Sequence, residues 1–142
     1  MAKKIKITLV ICLLLAIGIG GRYAYFKQPL ANSPLRLHVI ANSDTLYDQE
    51  VKLLIRDKTI EILRPLIAGA ATKQEAAAVI EDNIALLELS CNEVLNSYAA
   101  YGLKAGLEVA SFPEKSYGDM VLPAGNYDTL RLVLGAGEGK NW

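Results

Sequence analysis

Leu35-Arg36-Leu37-His38-Val39-Ile40-Ala41-Asn42-Ser43-Asp44-Thr45 is the stretch from which the fold can be read. Leu35, Leu37 and Val39 alternate with Arg36, His38 and Ile40, the period of a strand whose two faces meet different surroundings. Asn42, Ser43, Asp44 and Thr45 end it, because short polar side chains bond nearby backbone amides and favour turns and helix N-caps. Thr45 followed by Asp48 has the form of a capping box, and the segment it opens carries Val51, Leu54, Ile55, Ile62 and Leu66 at helical spacing. Leu53, Ile60 and Ile67 occupy another side, so this helix is expected to be covered by more than one neighbour.

Downstream, Pro65 weakens the last turn of that helix and Gly69 suits its termination. Thr72-Lys73-Gln74-Glu75 is a second capping box, opening a helix with Ala76, Ile80, Ile84, Leu87, Cys91, Val94 and Tyr98 on one stripe and Gly102 as its stop. Leu103 to Phe112 alternates as a half-buried strand does, and Pro113 closes it. Pro123-Ala124-Gly125-Asn126 predicts the turn of a hairpin between Met120-Val121-Leu122 and Tyr127 to Leu134. The expected fold is α+β: a small mixed or antiparallel sheet with two helices packed on one face, forming a single domain over residues 35–142. The strand pairing stays open.

Upstream, Lys3, Lys4 and Lys6 precede an uncharged apolar run from Ile7 to Gly21. A basic start and an apolar run shorter than the roughly 20 residues that cross a bilayer suit a signal peptide. The following Arg22, Tyr23, Tyr25, Phe26 and Lys27 suit the headgroup region of a retained anchor. Residues 1–27 are therefore expected to be a signal peptide or a membrane anchor, and either places the domain outside the cytoplasm. Gln28 to Pro34, with two prolines, is a linker over 28–34. The 142-residue chain balances 15 basic against 15 acidic residues, so no overall field recruits nucleic acid. Cys12 lies in the apolar run and Cys91 in the second helix, and no disulfide is expected between them.

Ser111-Phe112-Pro113-Glu114-Lys115-Ser116-Tyr117-Gly118-Asp119-Met120-Val121-Leu122-Pro123-Ala124-Gly125-Asn126-Tyr127, taken with the block from Leu35 to Asp44, resembles the stage II sporulation protein R family of endospore-forming bacteria. The resemblance implies a protein made in the forespore and exported to the septal intermembrane space. There it would switch on a membrane-embedded aspartic protease of the mother cell, which matures a sigma factor precursor. It implies a signal rather than an enzyme. One histidine, no exported cysteine pair and scattered carboxylates give neither zinc spacing nor a calcium loop, so no metal is expected, and no cofactor or small-molecule substrate is expected either. The residues expected to meet the protease are Arg36, His38, Asn42, Ser43, Asp44, Lys52, Arg56, Tyr117, Tyr127 and Trp142. The family pattern also covers Asp57, and it continues past Trp142 with a second tryptophan and a short hydrophobic, cysteine-bearing tail.

Other readings compete at the same residues. An extracytoplasmic, membrane-anchored enzyme would have to build on His38, the single histidine, with Arg36, Asp44 and a nucleophile such as Ser43. No Gly-x-Ser-x-Gly elbow surrounds that serine. A cell-envelope scaffold module would need no polar cluster. Lys52, Arg56, Asp57, Lys58, Glu61 and Arg64 are equally the solvated face of a helix. Gly135-Ala136-Gly137-Glu138-Gly139-Lys140 superficially suggests a phosphate loop, but Asn141 stands where Ser or Thr would hold magnesium, and a connector is the expectation.

Overall fold

The computed structural model describes residues 33–140. The expected signal peptide or anchor, most of the linker, and Trp142 lie outside the described residues. No helix among the described residues is long and apolar enough to cross a membrane. The chain forms β1 (Arg36–Ile40), α1 (Leu46–Ile67), α2 (Lys73–Asp82), α3 (Ile84–Leu95), β2 (Leu103–Phe112), β3 (Lys115–Tyr117), β4 (Met120–Leu122) and β5 (Gly125–Leu134). Contacts divide the described residues into two compact units, one of 33–108 with 128–140 and one of 109–127.

In the larger unit the sheet is mixed, in the order β1-β5-β2, with β1 parallel to β5. Register pairs Leu37 with Leu130, His38 with Arg131 and Val39 with Leu132. Leu130, Leu132 and Leu134 are fully buried in one core with Val51, Ile55 and Leu63 of α1, Ile80 of α2, and Leu87, Cys91 and Leu95 of α3. The period of two along β5 and the spacing of 51, 55 and 63 along α1 make these two faces meet.

Both threonines form N-caps, though among the described residues neither box closes with a reciprocal bond to the cap's own amide. Thr45 Oγ1 accepts from Asp48 N at 3.2 Å, and Thr72 Oγ1 accepts from Glu75 N at 3.1 Å. Glu75 reaches back to Ala71 N at 2.8 Å, one residue before the cap, and ties the entering chain to the first turn. Pro65 is tolerated within α1, which runs on to Ile67 before Gly69.

Three expectations change. The second helix is two helices, because Asn83 turns aside at φ −112°, ψ 8° and its amide donates to Val79 O at 2.8 Å, competing with the helical ladder. The second of them ends at Leu95, well before Gly102, in a turn where Tyr98 N bonds Leu95 O at 2.9 Å. The hairpin lies elsewhere: β4 pairs antiparallel with β3, Tyr117 opposite Met120, so the tight turn is Gly118-Asp119. Gly118 takes φ 59°, which favours glycine, whereas Gly125 opens β5 at φ 157°, near the extended limit.

The buried stripe of α1 also differs in membership. Asp48, Val51, Ile55, Thr59 and Leu63 point inward. Leu53, Leu54, Ile60 and Leu66 are exposed, while α1 packs, as expected, against more than one neighbour: α2, α3 and β1. Thr59 is tolerated in the core because Oγ1 donates to Ile55 O at 2.8 Å.

Candidate functional site

The turn after β1 is organised by one carboxylate. Asp48 Oδ2 accepts from Asn42 Nδ2 at 2.9 Å and from Ser43 Oγ at 2.5 Å, while Oδ1 accepts from Tyr101 OH at 2.6 Å. Asp48 is buried at the first turn of α1, where the helix dipole also favours negative charge. The Ser43 and Tyr101 bonds hold its carboxyl below the ordinary aspartate value in spite of burial. Burial and then the Asp48 carboxylate push the Tyr101 phenol up. The charge therefore belongs to Asp48, and every neighbour donates to it.

The C-terminal strap closes over the same turn. After β5, glycines with positive φ at Gly135 and Gly137 reverse the chain. Ala136 N then donates to Asn42 Oδ1 at 2.9 Å, Glu138 N to Asn42 O at 3.1 Å and Gly139 N to Ala41 O at 3.0 Å. Lys140 N donates to Asp44 Oδ1 at 2.6 Å. The glycine-rich segment is thus a strap held by backbone amides.

His38 and Arg36 lie on the other face of β1, with Arg131 beside His38 on β5. Arg131 Nη1 pairs with Glu108 Oε1 at 2.8 Å. Burial first, then Arg131, Arg36 and Lys52, lower the His38 pKa, with Glu108 opposing, so His38 favours its neutral form. On α1, Lys52 and Arg56 line a groove with Leu37, His38 and Val39.

The ten residues expected to meet a partner therefore fall in several places. Asn42 and Ser43 serve the Asp48 knot, and Asp44 serves the strap. Arg36 and His38 share a strand face, while Lys52 and Arg56 flank a groove that His38 also lines. Tyr117 is exposed on β3. Tyr127 is fully buried, its hydroxyl donating to Pro123 O at 2.5 Å and its ring edge-on to Phe112 at 6.0 Å between centroids. Trp142 lies outside the described residues. Asp48 and Tyr101 were missed as members of one site. Asp48 is legible as a cap residue, but Tyr101 carries no local signal for a bond to a residue so distant in the chain.

The family profile described as Stage II sporulation protein R matches residues 31–142. The chain belongs to that family. Stage II sporulation protein R of Bacillus subtilis (strain 168) is 29% identical over 150 aligned residues, spanning 96% of this chain and 67% of that relative. No solved structure matches the chain. As a stage II sporulation protein R family member, the chain carries the turn from Ala41 to Asp44, the Asp48 knot and the strap all within the matched region.

Proposed function

We propose that this chain is an exported signal in sporulation, whose domain binds the extracytoplasmic part of a membrane-embedded aspartic protease of the mother cell and promotes processing of a sigma factor precursor. The family match over residues 31–142 carries this reading. The basic and apolar N-terminal sequence supports export to the septal intermembrane space, as signal peptide or anchor. A ligand of this kind acts by binding the active arrangement of its receptor better than the inactive one, and a contact that brings receptor copies together would suffice.

The polar residues around the β1 turn also support a ligand. Ser43 Oγ, the nucleophile of an enzymatic reading, donates to Asp48, and Asp44 Oδ1 accepts from Lys140 N. Both groups hold the fold together at that turn. The test is to co-express the chain with the protease and the sigma factor precursor in a non-sporulating host. Precursor cleavage that depends on the chain is the expected result. Absence of cleavage, with all three proteins present and membrane-targeted, would overturn the reading.

A further inference from the structure

We propose that the groove between the outer edge of β1 and the flank of α1 receives an extended, acidic segment of the partner, which joins the sheet as a strand beside β1. Among the described residues β5 is the sole strand neighbour of β1, so β1 is an edge strand of this sheet. Such an edge is a template for an added strand. Beside it lies a groove of about 380 Å³ with Leu37 and Val39 on the strand side and Lys52, Leu53, Arg56 and Ile60 on the helix side. It shares Leu37 and Ile60 with an apolar groove of about 290 Å³ that runs on to Leu35 and Ile67.

The lining states what fits. Lys52, Arg56 and Ile60 follow one another at helical spacing of four, so two cations and an apolar contact face the strand edge in a row. Leu53 and Ile60 are 44% and 38% exposed, apolar surface that a docked side chain would cover. Lys52 Nζ donates at 2.5 Å to the neutral Gln49 carboxamide and has no ion pair among the described residues. Arg56 pairs with its exposed neighbour Asp57 at 2.7 Å, a contact worth little in water and readily exchanged. A segment that alternates acidic and apolar residues would match both linings, with side-chain direction changing at every residue as in any strand. Charge argues against a second copy of this chain as occupant. Edge-to-edge pairing would set Lys52 and Arg56 of two copies against each other, and like charges are the usual guard against such pairing.

The inference rests on the signalling reading only for the identity of the partner. Its first test needs no receptor. The full chain in detergent is titrated into a fluorescent peptide of alternating glutamate and valine, followed by anisotropy, with an alternating lysine and valine peptide as comparison. Saturable binding of the acidic peptide is expected, roughly tenfold or more weaker in the double variant Lys52→Glu with Arg56→Glu. The β1 amides should exchange more slowly when the acidic peptide is bound. Lys52→Gln with Arg56→Gln gives an intermediate result and serves if the reversed variant melts early. No binding, equal binding of the lysine peptide, or unchanged β1 exchange would each overturn the proposal. Binding seen only after removal of residues 1–32 would do so too, by making the chain's own leader the occupant. In the co-expression assay the reversed variant should lose precursor cleavage. If it binds no acidic peptide yet still supports cleavage, the groove is not the partner's dock and the proposal falls. If the unaltered chain gives no cleavage, the signalling reading fails while peptide binding still decides the groove.

Discussion

At the scale of single residues, Asp48 and His38 are two groups whose protonation the fold shifts on the acid side of neutrality. The Asp48 carboxyl is held below 3.8, so its stabilisation is fully present above that value and is lost as pH falls through the lower folded value. Asp48→Asn should cost about 2 kcal/mol at neutral pH, from hydrogen bonds to a charged acceptor. It should also flatten the acid limb of stability against pH, and urea unfolding at several pH values checks both. His38 is pushed below 6.5, so the folded domain resists protonation that the unfolded chain accepts. Stability tied to His38 is therefore full above 6.5 and declines as pH falls toward the folded value. In His38→Asn that decline should vanish from melting curves taken between about pH 7.5 and 5. Precursor cleavage should fall in the same variant by far less than the roughly 100-fold to 10,000-fold of a lost general base. The presence of one histidine on a strand was legible in the sequence. Its cationic surroundings were not, because Arg131 comes from a strand whose pairing no local pattern fixes.

At the scale of elements, start signals proved more informative than stop signals. Thr45 and Thr72 cap their helices because an N-cap needs only a side-chain oxygen near its own next turn. Thr45→Ala should cost about 1 kcal/mol in thermal or urea unfolding. Helix ends and turns depend on competition. Asn83 outbids one turn of backbone, and α3 stops where the chain must leave for β2. The β3 to β4 hairpin had its own signal in Gly118-Asp119, a pair suited to two-residue turns, which the proline of Pro123-Ala124-Gly125-Asn126 outweighed. Gly118→Val should disturb that hairpin by about 1–2 kcal/mol, because a β-branched residue fits poorly at φ 59°. Faster exchange of the amides from Met120 to Leu122 is the readout, and unchanged exchange would count against this assignment of the turn.

At the scale of the larger unit, Asn42 joins three pieces of chain: its own turn, α1 through Asp48, and the strap through Ala136. Asn42→Ala removes one of the two donors to Asp48 Oδ2 and the acceptor of the exposed Ala136 amide, and should cost about 1–2 kcal/mol. Asp44→Ala removes an exposed contact to Lys140 and should cost about 1 kcal/mol or less. Melting and precursor cleavage measured on both variants separate scaffold from surface. In Asn42→Ala, lost activity should follow lost stability. An Asp44→Ala variant that signals poorly while melting normally would place Asp44 on the partner's side. Gly135→Val should resemble Asn42→Ala, since a side chain at φ 54° would be driven into the Asn42 carboxamide.

By itself the sequence determined the α+β class, the first strand and its turn and both helix caps, since each rests on periodicity or short-range bonding, and it determined the family through the resemblance of its two motif blocks. Tertiary structure alone decided that β1 is an edge strand beside β5, that Tyr101 reaches Asp48, and that the glycine-rich strap closes on Ala41 and Asn42. Those contacts join residues far apart in the chain. Their free energy comes from burial and from the shared satisfaction of donors and acceptors, which no local window of sequence contains.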